Sequence, residues 1–378
     1  MSCKLRTNQW IGTSRVAALA LAVVAMVACS LGGRTGATSP SARQEVAGGG
    51  SSAPAYDEQA VAEFYRGKTI RILVGFSAAG AFDFYSRLLS RHMPQHIPGN
   101  PTIIVENRPG AGSALAANLV YAVEPKDGTV IGSFNEFLVL QQLLGAEGIQ
   151  FDAARFNWLG SSVDTTSTCL VRSDVGINSL QELVGGREVL MGATSPGTPT
   201  FDTPAVLNAA LGTRFRMVTG YEGITQINLA LESREVDGYC VSLDAVGIVA
   251  RRLVEAEPPA VKILSVMGSQ TPDHPYLRGV PATEPLARAE REKQLLRAVH
   301  APSRISKPFA VAPEVPRDRV EALRRAMMAA FADPTFIEEA RAANQERSPS
   351  DGERVTAVVQ ELLRTQPETV AELKNLLK

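Results

Sequence analysis

The chain has 378 residues; 45% are apolar, 20% are charged, and 38 Lys and Arg stand against 39 Asp and Glu. A balance this even, with no run of five like charges, lacks the footprint of a nucleic-acid binder and excludes that partner class. The length and apolar content allow two core-bearing units of ordinary size.

The chain opens on Lys4, Arg6 and Arg15, with no acid before an uninterrupted apolar run of 13 residues, Val16 to Ala28. Such a run falls short of the roughly 20 residues of a membrane span and suits the core of an export signal. Met26-Val27-Ala28-Cys29 resembles a bacterial lipobox, where a processing enzyme lipidates the cysteine and cuts before it. The plainer alternative is an ordinary signal with an incidental cysteine. The lipobox reading makes residues 1–28 a lipoprotein signal peptide and Cys29 the lipidation site. It places the processed chain in the periplasm, held to a membrane only through its lipid anchor. Loss of residues 1–28 removes three positive charges and no negative ones, leaving 35 against 39. Residues 29–58 form a tether: Leu31 to Ala55 is mostly Gly, Ser, Ala and Thr, with almost nothing to bury. A linker of this type reaches roughly 25–30 Å.

From Thr69 the pattern is strand, small-residue turn, helix. Thr69–Phe76 is a β-branched apolar run, followed by Ser77-Ala78-Ala79-Gly80 and a helix with Tyr85, Leu88, Leu89 and His92 on one stripe. Thr102–Glu106 is the next strand, Pro109–Gly112 the next turn, and a helix is expected from about Ser113 to Ala122. Lys126-Asp127-Gly128 turns into a third strand, Thr129–Phe134. The grammar restarts with strands at Cys169–Val171 and Glu188–Ala193. The loop Thr194–Pro199 leads into a helix opening near Pro204 and closing at Gly212. Strands Arg214–Val218 and Tyr239–Ser242 flank a helix carrying Ile224, Ile227 and Leu231. Helical stripes at Val320, Leu323, Met327 and Phe331, then at Val355, Val358, Val359, Leu362 and Leu363, end the chain. This alternation predicts an α/β fold in two lobes, with parallel strands covered by helices on both faces.

Of four cysteines, Cys3 leaves with the signal and Cys29 carries the lipid, so Cys169 and Cys240 remain. In an oxidising compartment they are either a disulfide or two buried thiols in strands. Pro109–Ala116 imitates a dinucleotide fingerprint but lacks its third glycine and the acidic residue beyond it. There is no G-x-S-x-G elbow, and His92, His96, His274 and His300 stand apart from any nucleophile or cluster of metal ligands. No enzyme activity, cofactor or metal is expected. Two loops at strand ends, Ser77–Asp83 and Thr194–Asp202, each open a helix, where unpaired N–H groups attract anions. The bland alternative makes them plain connections, with Asp83 and Asp202 as helix-start carboxylates.

Several segments together carry a resemblance: Tyr65–Val74, Phe76–Arg87, Val105-Glu106-Asn107-Arg108-Pro109-Gly110-Ala111-Gly112 and Pro125–Thr129. Weaker likeness runs through Gly192–Asp202, Thr219–Gly223, Glu235–Gly238 and Phe309–Pro313. They resemble the substrate receptors of tripartite tricarboxylate transporters, the Bug family. The resemblance implies a two-lobed periplasmic-binding fold of the type II, clamshell kind with C-terminal helices. Its first lobe would hold residues 59–165 and 300–378, its second 166–299. It implies a monomeric receptor that passes a small organic acid to two integral membrane subunits; a sensor presenting the same clamshell to a membrane kinase is the alternative.

The implied ligand contacts are Ser77, Ala78, Ala79, Gly80, Phe82 and Asp83 in the first lobe, with Asn135 beyond the third strand. Thr194, Ser195, Gly197, Thr198, Tyr221, Ser242 and Asp244 face them from the second. The acid would be held by helix N-termini and hydroxyls without Arg or Lys, Phe82 and Tyr221 packing on its body. Three departures bear on the ligand: Ala79 replaces the first glycine of a pair, Gly220-Tyr221-Glu222-Gly223 replaces Pro-Tyr-Lys-Gly, and Phe201 stands near a frequent His. A lost cation and an added acid favour a monocarboxylate, an aromatic acid or a cation-bridged ligand over a di- or tricarboxylate.

Overall fold

The computed structural model describes residues 56–343, 345 and 347–377; the expected export signal, Cys29 and the expected tether up to Ala55 lie outside the described residues. In chain order the first part comprises α1 (Glu58–Tyr65), β1 (Thr69–Val74), α2 (Ala81–His92), β2 (Thr102–Asn107), α3 (Ala114–Asn118), β3 (Val130–Ser133), α4 (Leu138–Leu143) and β4 (Asn157–Val163). Next come β5 (Ser167–Arg172), β6 (Val189–Gly192), α5 (Pro199–Leu211), β7 (Phe215–Val218), α6 (Ile224–Glu232), β8 (Gly238–Ser242), α7 (Leu243–Ala245), α8 (Arg251–Val254), β9 (Val261–Val266) and α9 (Glu290–His300). The chain ends on β10 (Ser306–Val311), α10 (Arg317–Ala332), α11 (Pro334–Ala342), β11 (Ser350–Asp351), α12 (Gly352–Leu363) and α13 (Pro367–Leu376). No helix among the described residues is long and apolar enough to cross a membrane.

The strands form two sheets, ordered β11-β4-β10-β3-β1-β2 and β7-β6-β8-β5-β9. Both are mixed, which corrects the expectation of parallel strands. β1 pairs parallel with β2 and β3, but β10 runs antiparallel between β3 and β4. In the second sheet β6 pairs parallel with β7 and β8, whereas β5 is antiparallel to both β8 and β9. β10 and β5 each enter their sheet directly from the other lobe, with no crossover helix to restore direction. Strands β4, β9 and β10 carry no alternating pattern. β10 is buried along its whole length although it opens Ser306-Lys307-Pro308, so neither an alternating pattern nor a clean apolar run marks it.

Two helices also differ from expectation. α5 opens at Pro199, not near Pro204, because a proline fits the first helical position, where its missing N–H is no loss. Pro204 lies buried inside that helix, which closes on Gly212 at φ 71°. The helix expected over Ser113–Ala122 is the short α3 followed by a π-turn at Leu119–Val123. Before it, Gly110, Ala111, Gly112 and Ser113 all hold positive φ (149°, 48°, 60° and 84°), which delays the helical start. This turn presses Ser113 against β1: a side chain at Gly75 would meet Ser113 Oγ at 1.9 Å.

Helices cover both faces of each sheet. One core, containing Ile70, Ile72, Leu88, Leu89, Phe309 and Leu323, lies under α2 and α10. A second, containing Ile227, Leu231 and Tyr239, lies under α6. The third is continuous between the sheets, from Leu73 and Trp158 through Cys169 and Cys240 to Leu207 and Leu295. Within it Cys169 and Cys240 face each other across the β5–β8 pair, with Cα atoms 4.0 Å apart, and are joined as a disulfide.

The chain passes between the sheets at 164–166 and again at 301–305, just ahead of β10. A third passage follows α12: α12 packs on β4, whereas α13 packs on α5 and α9. The last helix therefore joins the second lobe, where the first was expected, because its buried Thr369 and Leu373 find their partners there.

Candidate ligand-binding cleft

Strands β1, β3 and β4 end on one edge of the first sheet; β6, β7 and β8 end on one edge of the second. Only residues 164–166 separate the end of β4 from β5, so these two edges are neighbours. Carboxyl edges of this kind are where ligands of open α/β sheets bind.

The loop after β1 leaves Ser77, Ala78, Ala79 and Gly80 exposed and holds Ala79 at φ 69°. Asp83, buried in the first turn of α2, reaches back to accept the Ala79 N–H at 3.0 Å. It also accepts Arg87 Nε and Asn107 Nδ2, both at 2.9 Å. Burial by itself raises its pKa, but the hydrogen bonds from Arg87, the Ala79 amide and Asn107 outweigh that and hold it below the usual carboxylate range. Asn107 also donates to the Phe76 carbonyl at 2.9 Å, so the asparagine of the Glu106–Gly112 motif clamps this loop. Phe82 stacks on Phe76 with ring centroids 4.4 Å apart.

The loop after β6 repeats the device. Asp202, buried in the first turn of α5, accepts the Gly197 N–H at 2.9 Å. With no cation beside it, burial pushes its carboxyl up to about 7. The hydroxyls of Thr194, Thr198 and Thr200 bond one another at 2.9–3.0 Å, and Thr198 also donates to the Ser195 carbonyl. Both loops thus spend an amide and much of their polar surface on holding their own shape; Ser77 and Ser195 stay exposed. Gln141, on α4, donates to the Gly197 carbonyl at 3.4 Å and so joins the loop to the first lobe. Asn135 caps its own turn, accepting the Phe137 N–H at 3.0 Å, and Tyr221 lies half-buried beside α6.

The floor between the edges holds a cluster that sequence reasoning missed, built round a lysine. Lys307 on β10, 5% exposed, donates to Asp244 Oδ2 at 2.8 Å and to Ser306 Oγ at 3.1 Å. Ser306 Oγ donates to Glu136 Oε1 at 2.8 Å, and the Lys307 amide lies 3.4 Å from Glu136 Oε2. Burial would raise both carboxyls. The Lys307 charge holds Asp244 below its ordinary range, while Glu136 stays raised. Lys307 sits at φ 57°, a conformation disfavoured for any residue with a Cβ. Its signal was present: a lysine directly before the apolar stretch Pro308–Ala312 has to find a partner once both faces are covered.

Asp244 and Gly247 line a cavity of about 400 Å³ together with Arg251 and Tyr276 of the second lobe and Arg341 and Arg347 of the first. A second cavity, of about 610 Å³, lies between Gln141, Gly197, Asp202 and Lys374. The Ser77–Gly80 loop lines neither. Among the described residues, no group of three His, Cys, Asp or Glu is placed to hold a metal.

The family model described as tripartite tricarboxylate transporter family receptor matches residues 87–374. A TctC solute-binding protein from Polaromonas, solved without ligand, is 20% identical, with 82% of this chain and 98% of that one covered and a TM-score of 0.62. MatC from Rhodopseudomonas palustris, solved with malate, is 18% identical, with 82% and 99% covered and a TM-score of 0.55. These likenesses show the two-lobed periplasmic-binding fold. A UPF0065 protein encoded in the gbd 5' region of Cupriavidus necator is 28% identical over 142 residues, 37% of this chain and 42% of that protein. The chain spans about half or less of the length of the curated relatives it matches.

Proposed function

The chain belongs to the tripartite tricarboxylate transporter receptor family, and from that premise we propose that it captures a small organic acid outside the cytoplasmic membrane for a secondary transporter with two integral membrane subunits. Its general role is that of a solute-binding receptor, as family and fold both indicate. The observation that carries the finer reading is the Lys307–Asp244 contact, which joins the carboxyl edges of both sheets over one polar floor. MatC, of the same fold, was solved with a dicarboxylic hydroxy acid, which supports an organic acid as the ligand.

In this reading the lobes close about residues 164–166 and 301–305. The division near 165 and 300 is retained, with α13 moved to the second lobe. The amides of Ser77, Ala78 and Gly80 in the exposed loop and the Ser195 hydroxyl meet the ligand as the cleft shuts, and the receptor performs no catalysis. Cys29 carries the lipid that tethers it; intact mass of membrane-extracted protein should exceed the polypeptide from Cys29 by a diacylglycerol, and an unmodified mass would refute this.

The deciding experiment is mass spectrometry of small molecules retained by purified protein, followed by thermal titration with the acids found. A ligand that binds only the native state adds about 2.7 kcal/mol at a hundredfold excess over Kd. Retention of no acid, and a melting point unmoved by mono-, di- and tricarboxylates, would overturn the reading.

A further inference from the structure

On the floor of the cleft one ammonium serves two buried carboxyls. Lys307 Nζ donates to Asp244 Oδ2 at 2.8 Å and to Ser306 Oγ at 3.1 Å, and Ser306 Oγ donates in turn to Glu136 Oε1 at 2.8 Å. Glu136 is 8% exposed, Asp244 and Lys307 5% each. With both carboxyls ionised the cluster carries a net negative charge away from water, which is costly. The two do not share the cation equally. Asp244 has the direct ion pair, and Lys307, with the Ser242 and Thr165 hydroxyls, holds it ionised against burial. Glu136 reaches Lys307 only through Ser306 and the Lys307 amide, so burial prevails and its carboxyl stays raised. Lys307 on β10 and Asp244 on α7 are the charges set beside it, and α4 brings none. Asp164, Arg304, Arg354 and Glu361, at the passages between the lobes and on α12, answer to one another.

The topology ties Glu136 to the bound acid. β3 lies between β1 and β10, with Ser133 opposite Val74 on one side and Phe309 on the other. Glu136 follows the end of β3 just as Ser77 follows the end of β1, and antiparallel β10 begins at that same edge with Ser306 and Lys307. Two strand spacings amount to roughly 10 Å, so an anion on the amides of Ser77, Ala78 and Gly80 stands close above this floor. It adds a further negative charge where one cation already serves two carboxyls. Closing the lobes also removes the water that would screen it. Asp244 is committed to its ion pair. Glu136 is the group that can yield, by taking a proton.

We propose that capture of an acid anion is coupled to uptake of one proton from solvent by Glu136, a regulation of the ligand site that rests on the receptor reading above. Lower pH then tightens binding and higher pH releases the acid. A complex holding one more proton than the free protein gains up to about tenfold in affinity per pH unit of acidification, and only between the titration points of Glu136 in the two states.

The test is calorimetry of the full processed chain with benzoate, malate and adipate from pH 5.5 to 8.5, each titration run in buffers of low and high ionisation heat. The difference between buffers counts the protons exchanged. An acid that binds should draw up to one proton per molecule, and its affinity should fall as pH rises. Glu136→Gln, which keeps an acceptor for Ser306, should abolish the uptake and flatten the profile. Should that variant fail to fold or to bind, infrared difference spectra of wild type with carbon-13 glutamate carboxyls decide, since a protonated glutamate band must grow on binding. Binding without proton uptake at any pH, or without growth of that band, would overturn the proposal and leave the receptor reading standing. So would uptake that survives Glu136→Gln, as it must if Asp202 or the acid itself takes the proton. Binding of none of the three acids at any pH would overturn both.

Discussion

Burial pushes the Asp202 carboxyl up to about 7, against a single backbone donor, the Gly197 N–H, that favours its ionised form. Between the ordinary carboxylate range and that value the native protein keeps a proton that the unfolded chain has released. Stability from this group therefore falls as pH rises across the window, by at most about 1.4 kcal/mol per pH unit. His300 works the other way. Burial, with Arg304 nearby, lowers its pKa to about 4, so between 6.5 and 4 the unfolded chain binds a proton that the native one refuses. Its contribution is lost as pH falls. Asp202→Asn should accordingly gain stability over wild type as pH rises from 4 to 7, and His300→Gln should gain as pH falls from 6.5 to 4. Melting temperatures over pH 4–8 would show it; parallel curves for both variants and wild type would refute the assignment. Ala79, at φ 69°, carries a conformational cost that glycine lacks, so Ala79→Gly should stabilise by about 1 kcal/mol despite its looser unfolded chain. An unchanged or lower denaturation midpoint would count against this. At this scale the sequence exposed which loops open helices but not how they are held. Asp83 and Asp202 were legible as helix-start carboxylates; that they fold back onto Ala79 and Gly197 depends on burial, which single-residue patterns do not encode.

Strand β5 and strand β8 are tied by a disulfide whose two ends lie 71 residues apart. A closed loop of that length restricts the unfolded chain, and breaking it should cost up to about 4 kcal/mol. Reductant should lower the melting temperature correspondingly, and thiol titration of the unfolded, unreduced protein should find neither Cys169 nor Cys240 reactive; two reactive thiols would refute the bridge. From sequence the pair stayed open between disulfide and free thiols, because pairing depends on a β5–β8 register set by residues far apart in the chain. The same limit explains which elements were readable. β1 and α2 announce themselves by β-branched runs and a three-four stripe. β4, β9 and β10 do not, since a strand covered on both faces has no period to detect. Lys307 was overlooked with its strand, and the floor of the cleft with Lys307.

The whole molecule is two lobes joined at three places, and the two-lobed plan was legible mainly through the resemblance carried by Tyr65–Val74 and Glu106–Gly112. Where the chain would finish was not. α1 packs on α10 in the first lobe, whereas α13 packs on α5 and α9 in the second. The two terminal helices of the described chain therefore ride on different bodies, and their separation reads out any closing of one lobe on the other. A donor dye on α1 and an acceptor on α13 should change their energy-transfer efficiency when ligand is added, while a pair on α1 and α10 should not. The fold thus comes already wired as a single-molecule optical sensor, needing no inserted fluorescent domain and no label near the cleft.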